Sequence, residues 1–440
     1  MAAITPHLEE YESDREELEY AECLGGPVGL RGLGASKSCP TPLQIVEKRH
    51  SNLVRMTMTR QALEAEIAML GSEYGYRLRA QFGKADGSDL NELYLVLVDR
   101  DGKPGAPVRN RGPEWNSHLE RLGSGGFKVL SWTSKMDAPS FSLPSGSKDQ
   151  GGSCPGAIAG QTTSARDKGF VPMANLIKAK TGYDAPAGSV KWFADSVCES
   201  CYAGVGNYAY SSKQLAASLL LVWTRQAIRT PMRRAYDKAE SNEFVEFMVE
   251  AIDRAKYVSD RWSRQFGVRF FRVHDSGDVE NKAYLRAWKT IANRFLPGNA
   301  ERRVPVIFWA PTRIWATEWG DAAVREINGS TPAFSTERMR PHVRAFWERL
   351  EGNNLILRPS VYHINMPAPE RSAGYAAGST VTAAGHIEQN QASGAFEWNC
   401  PAYNSANVKH SCTAAKAPDD DEGCRACWIA PDLTINYKLH

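Results

Sequence analysis

Apolar residues recur along this chain in two rhythms, and the shift between them predicts its organisation. From Met58 to Leu70 the apolar positions Leu63, Ile67 and Leu70 share one helical face. Tyr76–Phe82 and Glu92–Val98 then alternate as strands do, and Asp101-Gly102 reads as the turn after the second. These predict a small α+β unit without evident chemistry. After Cys201-Tyr202-Ala203 helical spacing returns as far as about Arg229, through Leu215, Leu219, Val222, Trp223 and Gln226. Thr230-Pro231 interrupts it, because proline breaks a helix. A second helix, Asn242 to about Arg261, carries Phe244, Val245, Met248, Ile252 and Ala255.

Beyond that point strands and helices alternate. Val268–Val273 is a strand, His274-Asp275-Ser276-Gly277-Asp278 the loop at its end, and Lys282–Phe295 a helix with Leu285, Trp288, Ile291 and Ala292 inward. Val304–Trp309 is the next strand, ending in Ala310-Pro311-Thr312-Arg313. A helix over roughly Glu318–Ile327 follows, then a strand from Leu355–Leu357 to near Ser360. Such alternation implies parallel βαβ units, in a barrel or an open sheet. The expected class is α/β, a distorted TIM-like barrel, with a small N-terminal α+β domain and a C-terminal Cys-rich metal subdomain. The expected boundaries are a tail over 1–50, the α+β domain over 51–132, the α/β domain over 133–395 and the Cys-rich segment over 396–440. In either architecture ligands gather at the C-terminal strand ends, where the His274–Asp278 and Ala310–Arg313 loops fall.

Composition narrows the picture little. The chain has 440 residues, 42% hydrophobic and 23% charged, with a net charge of +3. That charge is too small to imply nucleic acid by itself, although it permits a basic face. No run of about 18 apolar residues exists, so no membrane span is expected. The first 50 residues are acidic, then Gly-rich, with Glu9, Glu10, Glu12, Asp14, Glu16, Glu17 and Glu19 repelling one another. They lack the apolar core of a signal peptide, so a cytoplasmic setting is expected. There, closely spaced cysteines read as metal or redox sites rather than disulfides.

Seven of nine cysteines fall into two sets. Cys400, Cys412, Cys424 and Cys427 lie within 28 mostly polar residues, and CxxC turns two thiolates toward one ion. A closed four-thiolate site holding zinc, ahead of a cluster, is expected, with His410 able to replace one ligand. Four buried thiols in so polar a segment is the weaker alternative. Such a site would pin a tail rich in Asp419, Asp420 and Asp421. Cys154, Cys198 and Cys201 form the other set. Three cysteines suit a [4Fe–4S] cluster with one open iron, or zinc with a ligand from elsewhere. An inert pair plus an unrelated cysteine stands equally. The Ser/Pro/Gly-rich stretch 134–156 resembles a linker, yet it ends in Cys154-Pro155-Gly156 and reads as an ordered loop. Cys23 and Cys39 have no partner spacing.

His274, Asp275, Ser276 and Asp278 are the candidate catalytic residues. Two carboxylates and an imidazole at one turn permit acid/base or nucleophile chemistry, and unequal surroundings would split their pKa values. An N-cap would account for one of these polar residues but not for all four. Arg313, with Thr312, is a candidate phosphate binder; Arg272, within its strand, reads equally as an ion-pair partner. Arg225, Arg229, Arg233 and Arg234 suit a solvated helix face better than a phosphate contact. Trp309, Trp315, Trp319 and Trp347 read as core, and His363 and His386 carry no motif.

Taken together, SFSLPSGSKDQGGSCPG, CESCYA, FFRVHDSGDVENKAYLRAW, VIFWAPTR and the C-terminal CP…C…CxxCW string resemble the phage gene product eighty-eight family, over roughly residues 128–430. That resemblance implies a phage or mobile-element protein acting inside the host cell, without naming a reaction. The chain is also similar, more distantly, to the tRNA-guanine transglycosylase superfamily and its phage members that place 7-deazaguanines in DNA. Those are barrels with a C-terminal zinc site and a strand-end DSGG motif. Here DSGD would match it, with Asp275 as the aspartate and the C-terminal cysteines as the zinc site. The departures are DSGD for DSGG, a different ligand spacing, and no counterpart for Cys154, Cys198 and Cys201.

The expected function is a base-modifying enzyme of guanine-transglycosylase type, exchanging guanine for a 7-deazaguanine in phage DNA and so evading host restriction. Its partners would be nucleic acid, DNA ahead of RNA, and a deazaguanine base; a homodimer is permitted. One rival is an iron–sulfur enzyme, radical or not, built on Cys154, Cys198 and Cys201. Another is a zinc-stabilised DNA-binding protein with no catalysis.

Overall fold

The computed structural model describes residues 65–105, 121–133, 137–146, 151–155, 211–233, 240–259, 263–264, 267–314, 317, 319–328, 354–359, 361–363, 375–377, 387–389, 396–399, 428 and 434–436. The acidic tail expected over 1–50 lies outside them.

A helical run, 65–74, leads into the antiparallel strands β1 (Arg77–Phe82) and β2 (Leu93–Val98), and β2 pairs with β3 (Phe127–Lys128). Strand β2 reads LYLVLV and is buried on both faces. Leu95 and Leu97 join the main core, while Tyr94, Val96 and Val98 form a small cluster with Ala85. Full burial thus comes from a near-continuous apolar run rather than a strict alternation.

The central sheet has five strands in the order β10-β9-β8-β5-β4: Leu355–Pro359, Val306–Thr312, Arg269–Val273, Ala138–Phe141 and Ser131–Thr133. The first four run parallel and β4 is antiparallel to β5. Among the described residues β4 and β10 are the edges. Between β5 and β8 lie helix α1 (Ser211–Ala227), the hairpin β6–β7 (Pro231–Arg233 with Glu240–Asn242) and helix α2 (Glu243–Arg254). Pro231, which breaks the α1 pattern, opens that hairpin. Helix α3 (Lys282–Asn293) connects β8 to β9, and α4 (Gly320–Asn328) lies between β9 and β10.

Local chemistry sets these boundaries. Asn242 and Asn281 sit in extended backbone, and their side chains accept from Val245 N and Tyr284 N, capping α2 and α3. Helix α2 ends at Arg254, short of the expected Arg261; there Arg254 bonds Glu250 and Tyr257 Oη donates to Ile252 O. Strand β9 runs to Thr312, past the expected end at Trp309. The sequence misleads because Pro311 looks like a strand breaker. Pro311 lies beyond the last β8–β9 pair, Arg272↔Trp309, where β8 no longer needs its amide.

The sheet's two faces differ. Phe141, Phe271, Val273, Val306, Phe308, Leu355 and Leu357 pack against Trp223, Phe244, Met248, Tyr284 and Trp288 of the helices. Edge-on ring pairs such as Phe141–Phe244 and Phe244–Trp288, both 5.8 Å between centroids, fill this layer. On the other face Trp428 packs tilted against Trp309 and edge-on against Phe270, and its indole donates to Phe271 O. Two small sheets complete the described chain: β11 (Val361–His363) with β12 (Tyr375–Ala377), and β13 (Ile387–Gln389), β14 (Phe396–Asn399) and β15 (Thr434–Asn436), with β15 parallel to β14.

Candidate active site

The loop after β8 lies at the C-terminal end of the parallel strands, as the alternation predicts. His274 takes a left-handed conformation, φ 68°, and donates its amide to Phe141 O at 2.8 Å. A non-glycine residue there stores roughly 1 kcal/mol or more of strain. Its ring is fully buried, stacks on Tyr284, and places Nε2 2.7 Å from the Tyr284 hydroxyl. Burial, and then the Arg272 charge, hold the imidazole near pKa 3, so it is neutral. Burial likewise pushes the Tyr284 phenol well up. The buried hydroxyl and Nε2 satisfy each other. The direction of that bond follows the imidazole tautomer, and among the described residues Nδ1 has no hydrogen-bond partner.

Asp275 turns to the other side of the strand end. It pairs with Arg272, whose guanidinium lies 5.0 Å from the Trp309 ring centroid. The two side chains keep 16% and 12% of their surface exposed, which makes Asp275 the less enclosed carboxylate of the loop.

The other loop residues act as fasteners. Ser276 Oγ donates to Leu143 O at 2.8 Å, and Leu143 N donates back to Ser276 O. Gly277 has φ 79°, and a Cβ there would lie 2.5 Å from Leu143 O and 2.6 Å from Ser153 Oγ. Asp278 is buried: Oδ1 accepts from Thr312 Oγ1 and Val279 N, Oδ2 from Arg313 N, and its own amide donates to Ser153 Oγ. Burial raises its carboxyl, these bonds counteract it, and the net value is about 6.

The expected ordered loop before Cys154 is present where it is described. Ser153 N and Oγ both donate to Pro144 O, and Cys154 N donates to Gly146 O. A Cβ on Gly152 would strike the Gly146 carbonyl. Glycines here permit backbone to cross backbone, so the composition that resembles a linker builds a wall of the site. Cys154 is buried against it. The remaining cysteines of both sets, Cys198, Cys201, Cys400, Cys412, Cys424 and Cys427, lie outside the described residues, as do His410, Arg234, Trp315, Trp347 and His386.

The structure also relocates the basic candidates. Arg313 is buried, and its backbone amide donates to Asp278 Oδ2. Thr312 is likewise committed to Asp278. Arg272 follows its ion-pair reading, and Arg225 pairs with Glu280 at 2.6 Å. Tyr284, Ser153 and Trp428 are the site residues that sequence reasoning missed. Tyr284 stands ten residues after His274 on the inward face of an amphipathic helix, and that position was its available signal.

The sequence of this strand, loop and preceding glycine-rich wall falls within residues 113–333, which match the family model described as gene product 88. The chain belongs to the phage gene product 88 family. The matched span holds Cys154, Cys198, Cys201, the His274–Asp278 loop and Arg313; the C-terminal cysteines follow it. No curated protein and no solved structure matches this gene product 88 chain.

Proposed function

We propose that this gene product 88 chain is a nucleic-acid base-modifying enzyme of guanine-transglycosylase type, acting on DNA in the host cytoplasm, with Asp275 as its reactive carboxylate. The observation that carries the reading is the division of labour in the loop. Ser276, Gly277 and Asp278 are occupied in holding it, while Asp275 stands at the strand end, paired with Arg272 and more exposed than Asp278. The parallel strands also follow one another in chain order across the sheet, an order that a barrel would continue.

In this mechanism a guanine flipped from the stack enters the strand-end site. An Asp275 oxygen attacks C1′, the C1′–N9 bond breaks, and guanine leaves, taking a proton from solvent water. The N9 of a 7-deazaguanine then attacks C1′, loses its proton and displaces the carboxylate. Arg272 holds the carboxylate, and Asp278 fixes the loop to Thr312 and Arg313. Four thiolates are a donor set that zinc takes, and Cys400, Cys412, Cys424 and Cys427 would hold it as a structural ion. Transfer of a labelled deazaguanine into DNA and RNA tests the reading. Asp275→Asn should reduce exchange at least about a thousandfold with unchanged DNA affinity. Full exchange by Asp275→Asn would end this assignment.

One observation favours a second reading. Cys154 is buried directly beside the loop, because Ser153 bonds the Asp278 amide. An iron–sulfur cluster on Cys154, Cys198 and Cys201 would therefore stand at the same strand ends. Brown, sulfide-bearing protein from anaerobic purification would support it, and colourless zinc-only protein would remove it.

A further inference from the structure

We propose that the base of the β6–β7 hairpin and the start of α3 form the surface that seats the phosphate backbone of duplex DNA. This rests on the reading above that the partner is DNA, and adds where the duplex lies. Three exposed cations make the surface: Arg229, Arg233 and Lys282. None of them pairs with an acid among the described residues.

Sequence spacing places Arg225, Arg229 and Arg233 on a solvated helix face, but α1 ends at Ala227. Arg229 follows the helix, and Arg233 closes β6, whose three residues are all exposed. The hairpin strand therefore stands clear of the core, while its base is tied to the strand-end rim. Glu243 N donates to Thr230 O, and Trp223 Nε1 donates to Glu243 Oε1. The Arg225 guanidinium reaches Glu280 at 2.6 Å, two residues after Asp278 and two before Lys282. Phe244 packs on Tyr284 at 5.6 Å between centroids, and Tyr284 holds His274. The three cations thus share the end of the molecule where Asp275 stands.

The nearby acids have other partners: Glu280 has Arg225, Glu243 has Trp223, Asp278 has Thr312 and Arg313, and Asp275 has Arg272. Even with Glu240 opposite Arg233 in the hairpin register, the surface keeps a net positive charge. Lys282 adds an independent sign. It occupies the first turn of α3, where the helix dipole disfavours a cation, and that turn holds no acid to offset it. A phosphate from outside would offset it. Duplex DNA presents phosphates in rows, and neutralising them releases counterions.

Binding of duplex DNA to the full chain, followed across salt concentrations, tests this. Arg229→Gln, Arg233→Gln and Lys282→Gln together should weaken binding roughly a hundredfold near physiological salt. They should also flatten the log–log salt dependence by about 2–3. Lys256→Gln, Arg264→Gln and Arg302→Gln make the same charge change near the N-terminal ends of β8 and β9, and should leave affinity within about twofold. An unchanged salt dependence in the first triple, or an equal loss in the second, would overturn the proposal. So would a loss on anionic lipid vesicles with none on DNA. Should the first triple lower the thermal midpoint, Arg229→Gln alone decides, with a slope change of about 1. The surface and the reaction fail separately. Exchange lost in Asp275→Asn, with DNA affinity intact in the first triple, would end the surface and keep the reaction. Weakened binding in that triple, with no exchange by the wild-type chain, would keep the surface and end the reaction.

Discussion

At the residue scale, one short loop holds two titratable groups with opposite pH signatures. His274 is held near 3 when folded, below the usual 6.5, so the unfolded chain binds the proton more readily. Its contribution is present above pH 6.5 and is lost as pH falls toward 3. Asp278 is raised to about 6, so the folded chain holds that proton more tightly. Its contribution is present below pH 3.8 and is lost as pH rises through 6. Between roughly pH 4 and 6 the two oppose each other. His274→Asn, which tolerates the left-handed backbone, should flatten the acid limb of urea-unfolding free energy between pH 6.5 and 4. Asp278→Asn swaps an acceptor for a donor facing Thr312 Oγ1 or Arg313 N and should cost about 1–3 kcal/mol. That deficit relative to wild type should shrink as pH rises from 4 to 7, and a constant deficit would contradict the raised carboxyl.

At the element scale, close backbone crossings and an ion network fix the strand termini. Gly277, Gly267 and Gly298 all have positive φ, but only Gly277 has neighbours within 4 Å of a built Cβ. Alanine at Gly267 or Gly298 should cost about 1 kcal/mol, the conformational term alone. Gly277→Ala should cost several times as much, read as the shift in thermal midpoint, because Leu143 O and Ser153 Oγ are held in place. Where β9 begins, Arg303 joins Glu301, Asp253 and Glu250, and Arg294 joins Glu301 and Glu246. Burial pushes the Glu301 carboxyl up, but the two guanidinium groups outweigh it and hold it near 2. Its stabilisation is present above pH 4.5 and lost as pH falls toward 2. Arg303→Ala removes one guanidinium from acids that keep Arg294, Arg254 and Arg269, and should cost about 1–2 kcal/mol at pH 7, a penalty that shrinks on acidification.

At the scale of the whole molecule, the central sheet joins segments far apart in sequence. Ser153 meets Asp278 across 125 residues, and Trp428 meets Phe271 across 157. If the proposed zinc clasp holds, elemental analysis should find about one zinc per chain, and Cys424→Ser with Cys427→Ser should remove it. Chelation should then lower the thermal midpoint. An unchanged midpoint after complete metal removal would argue against a structural clasp. Among the described residues no helix is long and apolar enough to cross a membrane.

The sequence by itself determined the alternation of strands and helices from Arg269 to Pro359 and the strand-end position of the His274–Asp278 loop. These are read from periodicity and local hydrogen bonding, which act over a few residues. It could not separate Asp275 from Asp278, because two carboxylates three residues apart look alike until their surroundings are known. Only the tertiary structure buried one among Thr312, Arg313 and Ser153 and left the other beside Arg272. Nor could it distinguish a glycine-rich linker from a glycine-rich wall. That difference lies in which backbone crosses at Gly152 and Gly277, and such contacts are made across distances in sequence that no local pattern records.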